Sequence, residues 1–83
     1  MLEELKTGPI VVGLKQLRKA LRDGTARRVF LARDAEGRLT DPMEAQCRDA
    51  GIEVTWVDTM AQLGEACGID VGAAAAASLR QAP

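Results

Sequence analysis

The chain has 83 residues, of which 47% are hydrophobic and 28% charged, and its formal net charge is -1. This length supports one domain with a modest core, which excludes a large multi-domain enzyme. The absence of histidine and tyrosine removes the commonest general base and metal ligand. Cys47 and Cys67 are too far apart for a CxxC pair. We therefore expect a single domain over residues 1–83, with no enzymatic activity, no cofactor and no bound metal.

Membrane and export signals are also missing from the sequence. No apolar run reaches the roughly 18 residues that a membrane span needs. The N-terminus carries acidic residues in place of the basic start and apolar run of a signal peptide. These features predict a cytoplasmic protein without a membrane partner.

The first half of the chain predicts a strand, a helix and a second strand. Residues 10–12 form a short apolar run that ends at Gly13, and an apolar stripe of leucines follows at helical spacing. Asp23-Gly24 closes this helix, and residues 28–32 predict a central strand that leads into a polar loop over residues 33–38. The same helix carries a second stripe at the spacing i, i+3, i+4, i+7, which we call the basic stripe: Lys15, Arg18, Lys19 and Arg22.

A capping pattern predicts the start of the next helix. Asp41 is a good N-cap, Pro42 suits the first helical position, and Glu44 completes a capping box. The helix is expected to end at Gly51. Its core-facing residues are expected to be Met43, Cys47 and Ala50.

The second half of the chain predicts one further strand and one further clear helix. Residues 52–57 alternate as a half-buried strand does. Thr59 and Gln62 form a second capping box, and the helix that they begin is expected to end at Gly68. The alternation of strands and helices predicts an α/β sandwich with helices on both faces of a mixed sheet.

The alanine-rich tail over residues 71–79 is ambiguous. Alanine has the highest helix propensity, which favours a helix. The run has no polar face, however, and small residues suit a strand pressed between two layers of helices. The residues alone leave both alternatives open.

Charge is concentrated in one short segment of the chain. Seven of the 11 basic residues lie between Lys15 and Arg33, where Asp23 is the only acid. Such a patch either binds a polyanion or is simply a solvated helix face. The turn at Gly13 lacks both the P-loop pattern and the dinucleotide pattern GxGxxG, but Lys15 and Gln16 supply donors suited to base edges.

Three segments together resemble a known family. Residues 13–21, 29–35 and 63–75 are similar in sequence and order to the ribosomal protein L7Ae family, and specifically to its small bacterial YbxF-like branch. The resemblance implies that the tail is a strand. The expected fold is therefore a three-layer α-β-α sandwich with a central mixed four-stranded sheet. The resemblance also implies a non-catalytic protein that recognises kink-turns, which are RNA helices bent at an internal loop beside tandem sheared G·A pairs.

The recognition pattern of the family falls on the strand-to-helix turn. By resemblance, Gly13 lets the backbone approach the RNA, Lys15 and Gln16 reach the sheared guanines, and Lys19 contacts a base edge or a phosphate. The loop Ile69-Asp70-Val71 matches the family's hydrophobic loop, which packs against extruded nucleotides. Arg33 either contacts phosphate or pairs with Asp34. The full predicted set of RNA-binding residues is Gly13, Leu14, Lys15, Gln16, Lys19, Arg33, Ile69, Asp70 and Val71.

Three positions depart from the family pattern. Leu14 stands where Thr is common, and Asp23 and Glu65 replace basic residues, so both acids are expected near the RNA face. The expected partner is kink-turn RNA, either ribosomal or of the riboswitch type, with the ribosome as a further partner. We expect a monomer that does not bind DNA. The alternative is a protein–protein interaction module of the same fold with weakened RNA binding.

Overall fold

The strand that comes last in the chain occupies the middle of the sheet. The structure, a computed structural model, describes residues 2–80, and its strands are β1 (Ile10–Val12), β2 (Ala26–Ala32), β3 (Val54–Val57) and β4 (Ala75–Leu79). Their order across the sheet is β1-β4-β2-β3. β4 is antiparallel to both of its neighbours, whereas β2 and β3 are parallel. The predicted mixed four-stranded sheet is confirmed, and the tail forms one of its strands.

In residues 2–80, four helices cover the two faces of the sheet: α1 (Glu4–Thr7), α2 (Leu14–Asp23), α3 (Gly37–Ala50) and α4 (Met60–Ala66). The core is divided in two by the sheet. One half contains Leu17 from α2 and Met43 from α3, and the other contains Leu5 from α1 and Leu63 from α4. This arrangement is the expected three-layer sandwich. Within residues 2–80, none of these helices has the length and apolarity needed to cross a membrane.

Small side chains let β4 lie between two layers of helices. Ala75 and Ala77 belong to the half of the core that contains α2 and α3, and Ala76 belongs to the other half. All three are fully buried. Burial on both faces overrides the helix propensity of alanine. The strand carries no bulky side chains, so the helices can pack closely against both of its faces.

A half-buried polar network ties α1 to the sheet. The Arg28 guanidinium donates to the Glu4 carboxylate over 2.7 Å, and the Ser78 hydroxyl donates to the other carboxylate oxygen of Glu4 over 2.9 Å. A bulge between Ala26 and Arg28 interrupts the register of β2 with β4. The network satisfies the buried hydroxyl of Ser78 and holds the first helix across two strands.

The start of α3 differs from the prediction. The helix begins at Gly37, so that Asp41 and Pro42 lie inside it and are not its N-cap and first residue. The first turn closes upstream, since the amides of Leu39 and Thr40 donate to the carbonyl oxygen of Glu36 over 2.9 and 3.2 Å. Thr40, which lies in this extra turn, is buried.

The other helix ends mostly follow the sequence. Gly24 and Gly51 adopt left-handed conformations after α2 and α3, as predicted. The hydroxyl of Thr59 accepts a hydrogen bond from the amide of Gln62 over 3.0 Å, which confirms the second cap. Ala50 is exposed, contrary to expectation, because the chain turns at Gly51 and Ile52 packs against the core.

The tight packing of β4 leads to a stability prediction. Ala77→Leu adds three heavy atoms in a fully buried position and is expected to lower the free energy of unfolding by about 1–3 kcal/mol. Ala61→Leu, on the exposed face of α4, is the matched control and is expected to be nearly neutral. Urea unfolding of the two variants provides the comparison. Equal stability of both variants would contradict the close approach of helices to β4.

Candidate functional site

The topology brings three predicted segments to one edge of the sheet. The amide of Gly13, after β1, donates to the carbonyl oxygen of Ala75 over 2.8 Å. The amide of Ala32, at the end of β2, donates to Ala74 over 2.9 Å, and the amide of Arg33 donates to Val57 over 2.8 Å. The turn at Gly13, the turn that begins at Arg33 and the loop before β4 therefore share this edge.

The start of α2 requires glycine for conformational reasons. Gly13 has φ 99° and ψ 157°, a region that is essentially restricted to glycine. A Cβ atom would find open space here, so the constraint is the backbone angle and not crowding. Residue 13 also has no side chain to accept from the first amides of α2. These amides and the positive end of the helix dipole form a natural site for an electron-rich group.

The basic stripe covers the outward face of α2. Leu17 and Ala20 are buried on the opposite side, while all four cationic side chains are exposed. Within residues 2–80, Lys15, Arg18 and Lys19 form no ion pair, and the carboxylate of Asp23 lies 3.7 Å from Nε of Arg22. Because both members of that pair are largely exposed, it neutralises little of the local charge. Gln16 is exposed and lines a shallow groove with Lys19.

The loop before β4 presents apolar side chains to solvent. Val71 is 70% exposed and Ile69 36%, and these are the exposed large hydrophobic residues of the described chain. Asp70 between them is also exposed. Water-exposed apolar groups of this size offer a contact surface for a partner that is itself partly apolar.

Close contact with α4 fixes the backbone of this loop. A Cβ atom at Gly64 would collide with the carbonyl oxygen of Val71, and one at Gly72 would lie 3.1 Å from Cβ of Met60. The amide of Ala73 also donates to the carbonyl of Met60 over 3.0 Å. The exposed side chains of the loop are therefore held on a rigid base.

Arg33 pairs with a residue that sequence reasoning missed. Its Nε atom lies 3.4 Å from the carboxylate of Asp58, the residue that follows β3. Asp34, the partner that the sequence suggested, instead accepts from the amide of Met60 over 2.8 Å at the start of α4. The parallel pairing of β2 with β3 supplies the signal, since it places the two strand ends side by side.

The three departures from the family pattern occupy different environments. Leu14, the first residue of α2, is half-buried and packs against the core, so it is not a polar contact. Asp23 lines the same groove as Gln16 and Lys19. Glu65 lines grooves with Lys6 on the α1 side of α4, on the other side of the sheet from α2. The carbonyl oxygen of Glu65 nevertheless accepts from the amide of Gly68 over 3.0 Å, one residue before the apolar loop, so the expectation that Glu65 lies near the RNA face stays a prediction.

The chemistry of the cysteines does not point to catalysis. Burial raises the pKa of the Cys47 thiol, with a smaller contribution from Glu44, and burial also raises the pKa of Cys67. Both groups are consequently thiols and not thiolates near neutral pH. Among the described residues, no cluster of acidic and cysteine side chains could hold a metal ion.

Comparisons with known proteins agree on one family. The family model described as "Ribosomal protein L7Ae/L30e/S12e/Gadd45 family" matches residues 2–82. The RNA-binding protein YbxF of Geobacillus stearothermophilus is 46% identical over 76 residues, which cover 92% of this chain and 93% of that protein. The large ribosomal subunit protein eL8 of Halobacterium salinarum is 38% identical over 72 residues, or 86% of this chain and 60% of that protein.

A solved structure has the same fold. The Giardia lamblia 15.5kD RNA binding protein superimposes with a TM-score of 0.85 at 22% sequence identity, covering 96% of this chain and 68% of that one. At this identity the likeness concerns the fold alone. It confirms the predicted α/β architecture.

The contact between α4 and the loop can be tested by one added methyl group. Gly64→Ala is expected to displace residues 69–72 and to lower the free energy of unfolding by about 1–3 kcal/mol. Gly37→Ala is the matched control, because the added atom there meets only the side chain of Asp41 at 3.4 Å. Amide chemical shifts of the loop and urea unfolding measure the two effects. Unchanged loop shifts in the Gly64 variant would contradict the contact.

Proposed function

The chain belongs to the ribosomal protein L7Ae/L30e/S12e/Gadd45 family, and from this premise we propose that it binds RNA by recognising and stabilising kink-turns. The chain is not an enzyme, since the family and the relatives at 46% identity are RNA-binding proteins. In this proposal it acts as one kink-turn-binding domain over residues 1–83, as a cytoplasmic monomer. Its target is a kink-turn in ribosomal RNA, including RNA within the ribosome, or in a riboswitch-type RNA.

The observation that carries the proposal is the pairing of two unlike surfaces at one edge of the sheet. The start of α2 offers hydrogen-bond donors and positive charge, and the neighbouring loop offers the exposed side chains of Ile69 and Val71. A merely solvated helix face would account for the charge but not for apolar side chains on a rigid base. RNA with bases turned out of the helix presents both phosphates and apolar base faces.

The residues at the start of α2 supply the polar part of recognition. The backbone of Gly13 can approach the RNA closely because no side chain intervenes. Lys15 and Gln16 are exposed on the first turn, where they can donate to the edges of the sheared guanines. Lys19 lies one turn further and contacts a base edge or a phosphate. Leu14 contributes by packing this turn onto the core.

The remaining residues of the proposed site lie in the two adjacent segments. Ile69 and Val71 pack against nucleotides that leave the helix stack, with Asp70 between them in the same loop. Arg33 is exposed and contacts a phosphate while Asp58 orients its guanidinium.

The proposed mechanism is the selection of RNA shape. The two surfaces are rigidly joined, so both can be engaged only by an RNA that is already bent. Binding energy that is available only to the bent form shifts the RNA population from extended to kinked. No chemical step is needed.

The shape of the RNA tests the proposed mechanism directly. Titration of the protein into a kink-turn RNA labelled at both ends is expected to shorten the end-to-end distance, as read by fluorescence transfer at fixed salt. An RNA without the sheared G·A pairs is expected to remain extended. Equal binding to both RNAs would show that the site is a basic patch that binds RNA nonspecifically. Binding to neither would favour the alternative of a protein–protein interaction module.

Variants of the basic stripe test the polar contacts. Lys15→Ala and Lys19→Ala are each expected to weaken kink-turn binding by about 1–3 kcal/mol if they read a base, or to reduce the salt slope by about 1 if they contact phosphate. Lys6→Ala removes the same charge from α1, on the other side of the sheet, and is expected to have little effect. Equal losses of kink-turn affinity in all three variants would show that Lys15 and Lys19 do not contact the RNA specifically.

A substitution in the loop tests the apolar contact. Val71→Ser is expected to weaken kink-turn binding roughly tenfold, which corresponds to about 1.4 kcal/mol, because an exposed apolar contact with the nucleotides is lost. Its free energy of unfolding should change by less than about 0.5 kcal/mol, since residue 71 is 70% exposed. Val71→Leu retains an apolar side chain and should retain binding. Full affinity in the serine variant would contradict the role of the loop.

A further inference from the structure

The basic stripe continues beyond the residues of the proposed recognition site. Arg18 and Arg22 are exposed on α2 and are one helical turn apart. We propose that they form a second phosphate-binding surface, which takes the backbone of one RNA stem as it leaves the bend along α2. This inference rests on the proposed function and specifies its substrate as a kink-turn with an extended stem on that side.

Arg18 lies at the side of the basic stripe that is farther from Asp23, and a second groove is lined by Gln16 and all four cations of the stripe. Gln16, Lys19 and Asp23 line a groove that faces Thr25 and Leu79. At about 100° per residue, Arg18 projects roughly 160° away from Gln16 around the axis of α2. Arg22 lies between Arg18 and Lys19. The flank that carries Arg18 is thus free of the acid at position 23.

The charges of α2 are costly for the fold itself. Four like charges at i, i+3, i+4 and i+7 repel one another. The first turn of α2 contains no acid, although the helix dipole favours acids there, and it contains Lys15 instead. Stability therefore gives no reason for this pattern, whereas a bound polyanion gives one.

Arg28 and Arg38 are paired within the protein, whereas Arg27, Arg48 and Arg80, like Arg18, form no ion pair among residues 2–80. Carboxylate oxygens lie 2.7 and 2.6 Å from guanidinium nitrogens of Arg28 and Arg38. Among the described residues, Arg18 has no such partner, and Arg22 has only the exposed Asp23 at 3.7 Å. The chain contains 12 acids for 11 bases, so the lack of partners on α2 reflects their placement and not their number.

The dimensions of the stripe fit a short stretch of nucleic-acid duplex. From Lys15 to Arg22 the helix rises about 10 Å. That distance corresponds to the rise of about three base pairs along the axis of a duplex. Guanidinium groups are suited to this contact because their planar fork donates two parallel hydrogen bonds to a phosphate.

The test uses charge-matched variants and three RNAs. The variant Arg18→Gln with Arg22→Gln is compared with the control Lys6→Gln with Arg48→Gln, which removes two charges from exposed sites on α1 and α3. One kink-turn RNA has two long stems, and two others have either stem shortened to the bend. Affinity is measured for each protein and RNA over a range of salt concentrations.

The stripe variant is expected to bind the RNA with two long stems roughly tenfold more weakly, with a salt slope lower by between one and two, as loss of two phosphate contacts requires. Shortening one particular stem should weaken RNA binding by the unaltered protein roughly tenfold. It should also abolish the difference in affinity between the unaltered protein and the stripe variant. Shortening the other stem should leave the difference intact. Circular dichroism and urea unfolding should show that α2 is as stable as in the control.

Two results would overturn the inference. If the stripe variant binds all three RNAs as the control variant does, Arg18 and Arg22 contact no RNA. If its affinity falls by the same factor for all three RNAs, the contact lies within the bend and not along a stem. A failure of the unaltered protein to prefer a kink-turn over an RNA without sheared G·A pairs would instead overturn the proposed function, and the inference with it.

Discussion

The position of β4 between β1 and β2 is the constraint on which the other features depend. The carbonyl oxygens of Ala75 and Ala74 accept hydrogen bonds from Gly13 and Ala32, at the ends of the two flanking strands. This pairing fixes the start of α2, the turn after β2 and the apolar loop beside one another. It is possible only because the strand consists of small residues, which leave room for helices on both of its faces.

The sequence predicted the elements that depend on local interactions. The glycines at 24 and 51 and the Thr59 cap act within a few residues of their own position, so their signals survive in the sequence. The predicted start of α3 was wrong, because backbone hydrogen bonds to Glu36 close a turn before the capping pattern at Asp41. The alanine tail was undecided from its residues, since only the surrounding layers and the family resemblance select the strand.

The candidate site shows the same division between local and long-range information. The basic stripe is visible in the sequence because its residues follow helical spacing. The strand-to-helix turn is visible because an apolar run ends at Gly13 immediately before that spacing begins. The pairing of Arg33 with Asp58 and the contact of Gly64 with the loop depend on which strand ends and helices meet, which the topology decides. Cations that support the fold, such as Arg28 with Glu4, have carboxylate partners, whereas the stripe on α2 accepts repulsion that lowers the stability of the free protein.

The central position of β4 also has a consequence for biosynthesis. Ile10 pairs with Ser78, so the two strands of this ladder are separated by most of the chain, and loop closure must precede their contact. β1 has no other neighbour in the sheet, and β2 can pair only with β3 until then. A nascent chain therefore cannot complete its sheet until residue 79 has left the ribosomal tunnel. The edge that gathers the basic turn and the apolar loop is therefore completed only at that stage.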